Sequence, residues 1–126
     1  MQAKRSILCV DDNSDMREFF KFWFGHHGQE IVLAASCQEA LRYIHNDSFD
    51  LILIDCLLPD GDGIGLCKQI RVFYPHTPII FHSGDARTSV REEAIAAGAN
   101  VFIEKPVELE LLEETVKNLL KPHSSR

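Results

Sequence analysis

No apolar run in this 126-residue chain approaches the roughly 18 residues that a membrane-spanning helix needs, so membrane insertion is not expected. Positive charge is also scarce: 13 Lys and Arg stand against 19 Asp and Glu, for a net charge of -6. A surface with that balance is poorly suited to neutralising nucleic-acid phosphates, and no direct nucleic-acid contact is expected. It leaves room for a protein partner with a basic patch. Cysteine is sparse, with Cys9, Cys37, Cys56 and Cys67 and no C-x-x-C pair, so the thiols are expected to be small buried hydrophobes rather than a disulfide framework. The histidines include the adjacent His26-His27 but no i, i+4 spacing beside an acid, which argues against zinc. Met1-Gln2-Ala3-Lys4-Arg5 leads directly into an apolar run without a signal-peptide h-region, so the expected location is cytoplasmic.

What is present is an ordinary globular composition, 45% hydrophobic and 25% charged, in a length that suits one domain. The single domain is placed at 1–126, with a core over about 6–120 and a frayed tail at 121–126. Short apolar runs alternate with longer segments of helical period. The runs are Ile7-Leu8-Cys9-Val10, Glu30-Ile31-Val32-Leu33-Ala34, Leu51-Ile52-Leu53-Ile54, Pro78-Ile79-Ile80-Phe81 and Val101-Phe102-Ile103-Glu104. Continuous apolar runs of this length fit strands buried on both faces of a parallel sheet.

Between them the helix signals recur. Ser14 is expected to cap a first helix carrying Met16, Phe19, Phe20, Trp23 and Phe24, closed by Gly25 and Gly28. Ser36 and Glu39 fit a capping box for a second helix with Ala40, Leu41 and Ile44 inward. The turn-rich Leu58-Pro59-Asp60-Gly61-Asp62-Gly63 leads into a third with Ile64, Cys67 and Ile70 inward, ended near Pro75 and Pro78. A fourth spans about Ala86 to Ala97 and stops at Gly98. A fifth carries a core row of Leu109, Leu112, Val116, Leu119 and Leu120 before Pro122. Five βα units with right-handed crossovers make an α/β domain, a three-layer (βα)5 doubly wound parallel sheet.

Polar residues stand where four of these strands end: Asp11 and Asp12, Asp55, Ser83 and Lys105. In an open parallel sheet ligands bind at the carboxyl ends of the strands, near the point where strand order reverses. Three carboxylates there repel one another unless a cation neutralises them, and hard oxygen donors suit Mg²⁺, with Mn²⁺ as the other candidate. Asp55, alone at the end of the third strand, is the natural nucleophile. A metal ion, the Lys105 ammonium and the Ser83 hydroxyl would together cover the three equatorial oxygens of a transferring phosphoryl group. Gly84 leaves space beside it.

Asp11-Asp12, then Asp55 in Asp55-Cys56-Leu57-Leu58-Pro59-Asp60-Gly61-Asp62-Gly63, then Ser83-Gly84 and Lys105-Pro106, in order at successive strand ends, resemble the receiver domains of two-component response regulators. The likeness runs from Ser6 to about Leu120. It implies strand order 2-1-3-4-5 and a phosphoacceptor role for Asp55, supplied by a phosphohistidine of a histidine kinase or phosphotransfer protein. It also implies Mg²⁺ held by Asp12, Asp55 and the Leu57 carbonyl, with Asp11 directly or through water. Lys105 would pair with Asp55 and then with the phosphoryl group, and its peptide bond to Pro106 would be cis. Ser83 and Phe102 would be the switch pair. The output surface would be the face of helix four, strand five and helix five, acting on a downstream protein.

Two neighbours of the site bear on phosphoryl lifetime in opposite senses: Leu57, which would exclude water, and Asp85, which would orient it. The aromatic surplus of the first helix exceeds one buried stripe; two or three of the rings are expected in the core, and the remainder would lie partly buried under neighbouring loops or form an apolar docking patch for the phosphodonor. With Met1 read as a natural start, the chain is expected to be a stand-alone receiver, a regulator rather than an enzyme; the close variant is a receiver cut from a hybrid kinase or a longer regulator. The alternatives are a Mg-dependent phosphohydrolase with an aspartyl-phosphate intermediate, a flavodoxin-like cofactor binder and a non-phosphorylated pseudo-receiver. Asp11-Asp12 would repel a flavin phosphate, and no site residue is missing.

Overall fold

A computed structural model describes residues 5–85, 87–106 and 108–121. Its strands are β1 (Ser6–Val10), β2 (Glu30–Ala34), β3 (Leu51–Asp55), β4 (Ile79–Ser83) and β5 (Val101–Glu104). The helices are α1 (Ser14–His26), α2 (Cys37–Asn46), α3 (Gly63–Phe73), α4 (Thr88–Ala97) and α5 (Leu109–Leu120). All five strands are parallel, in the order β2-β1-β3-β4-β5. This is the doubly wound α/β sheet expected from the alternation of runs. A short antiparallel pair, Leu57–Leu58 with Gly61–Asp62, forms within the loop after β3 and was not anticipated.

The period-2 geometry of the strands divides the core into two layers. Leu8, Val10, Ile52, Ile54, Ile79 and Phe81 face α2, α3 and α4, where Ala40, Ile44, Leu66, Cys67, Ile70, Ala94 and Ala97 meet them. Ile7, Cys9, Leu51, Leu53, Ile80 and Ile103 face α1 and α5 and pack on Phe20, Trp23, Phe24, Leu112 and Val116. Every residue of β3 is buried. That is why the run reads as continuously apolar rather than alternating.

Several local expectations are corrected. The N-cap of α1 is Asn13, whose side chain accepts from the Met16 N–H; Ser14 is the first helical residue. Gly25 lies inside the last turn of α1, and Gly28 alone takes positive φ beyond the helix. β4 begins at Ile79 and runs past Phe81 through His82 to Ser83. Ser36 caps α2 as expected, but Glu39 returns its carboxylate to the Ala35 N–H, one residue before the cap. α3 buries Leu66 with Cys67 and Ile70, whereas Ile64 is only half-buried. In α5 Leu112 and Val116 are buried and Leu119 and Leu120 pack half-buried against the same core, whereas Leu109 is about half exposed at 48%. α4 ends as predicted on Gly98, at φ 117. Its expected start at Ala86, the tail and Pro122 lie outside the described residues.

Candidate functional site

Register delivers the site. Val10 of β1 pairs with Ala34 on one side and Ile54 on the other, so Asp11 and Asp12 leave β1 beside Asp55 at the end of β3. Strand order reverses at this point, since the chain leaves β1 toward β2 on one edge and β3 lies on the other. Ligand atoms of Asp11, Asp12 and Asp55 lie within 4.8 Å of one another. Ser83 ends β4, opposite Glu104 of β5, and the Lys105 N–H donates to the Ser83 carbonyl at 2.8 Å. That bond ties the hydroxyl and the ammonium to adjacent strand ends. The Lys105–Pro106 peptide is cis.

The lysine reaches both buried acids. Lys105 Nζ lies 3.4 Å from Asp55 Oδ2 and 3.5 Å from Asp11 Oδ2. Asp11 is 1% exposed; its Oδ1 accepts from the Asn13 N–H at 2.9 Å, and Arg17 donates to its backbone carbonyl at 2.8 Å. Asp11 Oδ2 is buried and accepts no hydrogen bond from the described residues. A buried carboxylate oxygen left with one ammonium nearby, facing two further carboxylates, fits a divalent cation with oxygen ligands. Burial holds the Asp55 carboxyl above the usual carboxylate range; Lys105 pulls it down and Asp11 pushes it up. One ammonium does not balance the cluster.

Asp12, Asp55, Leu57, Ser83, Gly84, Asp85, Arg87 and Lys105 line one open cleft of about 930 Å³. Asp11 lies beneath it. The Leu57 side chain is 73% exposed, so what it can offer inward is backbone. Ser83 is buried, and its Oγ accepts from the Asp85 N–H at 3.0 Å. Asp85 is held in a fork by Arg87 at 3.0 and 2.7 Å, a residue to which the sequence had given no part near the cleft. Gly84 faces open space. Phe102 is buried, and the Arg91 guanidinium lies 4.6 Å from its ring centre.

His82 was also missed. It pairs in register with Asp55, points to the α1–α5 side and meets the Phe20 ring edge-on at 5.6 Å. Neither ring nitrogen finds a partner among the described residues. Burial, then Lys105, lowers its pKa from 6.5 to about 4. A strand reading that continued past Phe81 to Ser83 would have placed it in the core.

An acidic trio, a lysine and a hydroxyl at the switch point of a five-stranded parallel sheet define a class of open α/β domains with their site at the carboxyl ends of the strands. Comparison narrows the class: the chain belongs to the response regulator receiver domain family, whose model matches residues 7–117. It is 33% identical over 119 residues to the response regulator protein PilR of Pseudomonas aeruginosa, covering 94% of this chain and 27% of that one. It is 32% identical over 115 residues to the response regulator MprA of Mycolicibacterium vanbaalenii, covering 91% of this chain and 50% of that one. The chain thus spans between about a quarter and half of the length of these relatives. A two-component response regulator from Clostridium difficile superposes with a TM-score of 0.90 at 32% identity, covering 93% of this chain and 96% of that one. Among the described residues no helix is long and apolar enough to cross a membrane.

Proposed function

We propose that the chain is the phosphoacceptor switch of a two-component system, taking a phosphoryl group on Asp55 from a phosphohistidine of a histidine kinase or phosphotransfer protein. The observation that carries this reading is the Lys105 ammonium bridging Asp55 and Asp11 at 3.4 and 3.5 Å, with Asp12 completing the acidic trio. Asp11, Asp12, Asp55 and the Leu57 carbonyl would hold Mg²⁺, or Mn²⁺, which neutralises phosphoryl charge when bound.

The chain's own groups do the rest. Asp55 Oδ attacks phosphorus as the bond to the donor imidazole nitrogen breaks. Lys105 stays beside the incoming oxygens. The Ser83 hydroxyl turns from the Asp85 N–H toward them, vacating space that Phe102 occupies. Phosphorylation adds roughly -1.5 to -2 charges, and a bias of a few kcal/mol then changes which conformer dominates.

The donor approaches across α1. Lys105 lines both the cleft and an adjoining groove of about 630 Å³ with Asn13, Met16, Phe19, His82, Pro106 and Leu109. Of the α1 aromatics, Phe20, Trp23 and Phe24 are core and Phe22 is 73% exposed, which leaves an apolar surface for docking. A downstream protein reads the face of α4, β5 and α5. The whole of residues 1–126 acts as a single regulatory domain in the cytoplasm. Nothing in the site favours the phosphohydrolase alternative.

Incubation with Mg²⁺ and acetyl phosphate, followed by intact-mass measurement, tests the proposal. One added phosphoryl group is expected on the wild-type chain and none on Asp55→Asn. Steady turnover of generic phosphate esters, with no mass adduct, would overturn it.

A further inference from the structure

Between Asp55 and α3 lies a loop whose outer part has little apolar anchorage: Leu57 and the Pro59–Asp62 segment are exposed. Only Cys56 and Leu58 are buried in it. Polar contacts hold the rest. The Gly63 N–H donates to the Cys56 carbonyl at 2.8 Å, and Asp62 caps α3 by accepting from the Gly65 N–H at 2.6 Å. Leu57 and Leu58 pair antiparallel with Asp62 and Gly61. At the tip, Asp60 reaches out of the loop altogether. Its two carboxylate oxygens accept the Cys37 N–H at 2.8 Å and the Gln38 N–H at 2.9 Å.

These are the first two N–H groups of α2. Ser36 Oγ takes the third, from Glu39, at 3.1 Å. The start of α2 is therefore capped jointly by its own N-cap and by a carboxylate more than twenty residues away. An anion at a helix N-terminus is favoured by both the free N–H groups and the dipole. Consistently, these amides hold the Asp60 carboxyl below its usual range. The contact is close on both sides, since a side chain at Gly61 would meet Cys37 Sγ at 3.2 Å.

We infer that Asp60 is a positioning residue for the metal site, fixing through α2 the loop that presents the Leu57 carbonyl. The inference rests on the metal ligands proposed above and deepens that reading. The chain of cause is short. Asp60 clamps the tip to α2, the paired segment transmits that clamp to Leu57, and a preset carbonyl binds a cation without first ordering the loop. Without the clamp, Mg²⁺ binding would have to order the loop itself, and affinity falls.

Calorimetric titration of the full chain with MgCl₂, below the melting transition of every variant, tests this. Asp60→Ala is expected to weaken Mg²⁺ binding by about tenfold, at the low end of what the outer partners of metal ligands carry. Asp60→Asn keeps one acceptor oxygen and is expected to fall between Ala and wild type. Ser36→Ala removes a cap from the same helix end without touching the loop; it is expected to lower Tm and leave Mg²⁺ affinity unchanged. Unchanged affinity in Asp60→Ala overturns the inference, as does an equal loss in Ser36→Ala. Equal losses in Asn and Ala also overturn it, by assigning the effect to charge alone. If the wild-type chain takes up no Mg²⁺, the metal-site reading falls and the inference with it.

Discussion

At the residue scale, the site concentrates charge that the surrounding fold does not fully compensate. Asp11, Asp55 and His82 are all buried, and the Lys105 ammonium is the cation that reaches both carboxylates, while Arg17 meets only the Asp11 backbone carbonyl. His82 adapts by remaining neutral. Its folded pKa of about 4 lies below the unfolded 6.5, so the unfolded chain takes up the proton first. The stabilising contribution is complete above pH 6.5 and is lost as pH falls from 6.5 to about 4, where both states are protonated. Its size is on the order of 3 kcal/mol. Denaturant unfolding of wild type and His82→Leu at pH 7 and pH 4.5 checks this: the wild type should lose more stability than the variant. Parallel losses would mean that other groups drive the acid limb. The placement of Asp11, Asp12, Asp55, Ser83 and Lys105 at strand ends was legible from the sequence because each follows or closes an apolar run. His82 was not, because a lone polar residue at a strand end resembles the start of a loop.

At the element scale, helix and strand identity followed from local pattern, and errors gathered at the caps. Asn13 and Ser14 are both good caps, and the choice between them depends on how the chain leaves β1. Asp60 and Cys37 are far apart in sequence, so no local rule pairs them. The start of α3 shows a tighter constraint. A Cβ on Gly63 would stand 2.8 Å from Phe81 and 2.9 Å from an Ile54 methyl, and well inside contact distance of the Asp55 carbonyl. Crowding backbone and rigid core atoms together cannot be relieved by a rotamer change. Gly63→Ala is expected to cost about 3 kcal/mol and to slow phosphorylation from acetyl phosphate, by displacing Asp55. Thermal melts and intact-mass time courses measure the two effects. A stable variant labelled at the wild-type rate would show that the loop shifts freely.

At the scale of the whole molecule, long-range polar contacts tie the ends of neighbouring elements together. Arg71 is the clearest. From the last turn of α3 its guanidinium donates to the Gly98 carbonyl at 3.0 and 2.6 Å, to Tyr74 and Thr77 carbonyls at 2.9 and 2.6 Å, and to Asn100 Oδ1 at 2.9 Å. One planar fork thus joins the ends of α3 and α4 to the entrance of β4. Gly98 must lack a side chain, both for its positive φ and because a Cβ would meet the Arg71 stem at 2.8 Å. Arg71→Leu is expected to cost about 2–4 kcal/mol by leaving those acceptors unpaired. Hydrogen exchange should rise first around Gly98 and Asn100. A loss spread evenly over the chain would argue against a local clasp.

The order of apolar runs and helical segments determined by itself that this chain forms five parallel strands with acids, hydroxyl and lysine at their ends. Those are properties of period and spacing, which are local. Tertiary structure alone decided that Asp60 caps α2, that Arg71 reaches Gly98, that Arg91 lies over Phe102 and that His82 is left unpartnered. Each depends on distance between elements that only packing brings together, and hydrogen bonding is decided there by tenths of an ångström.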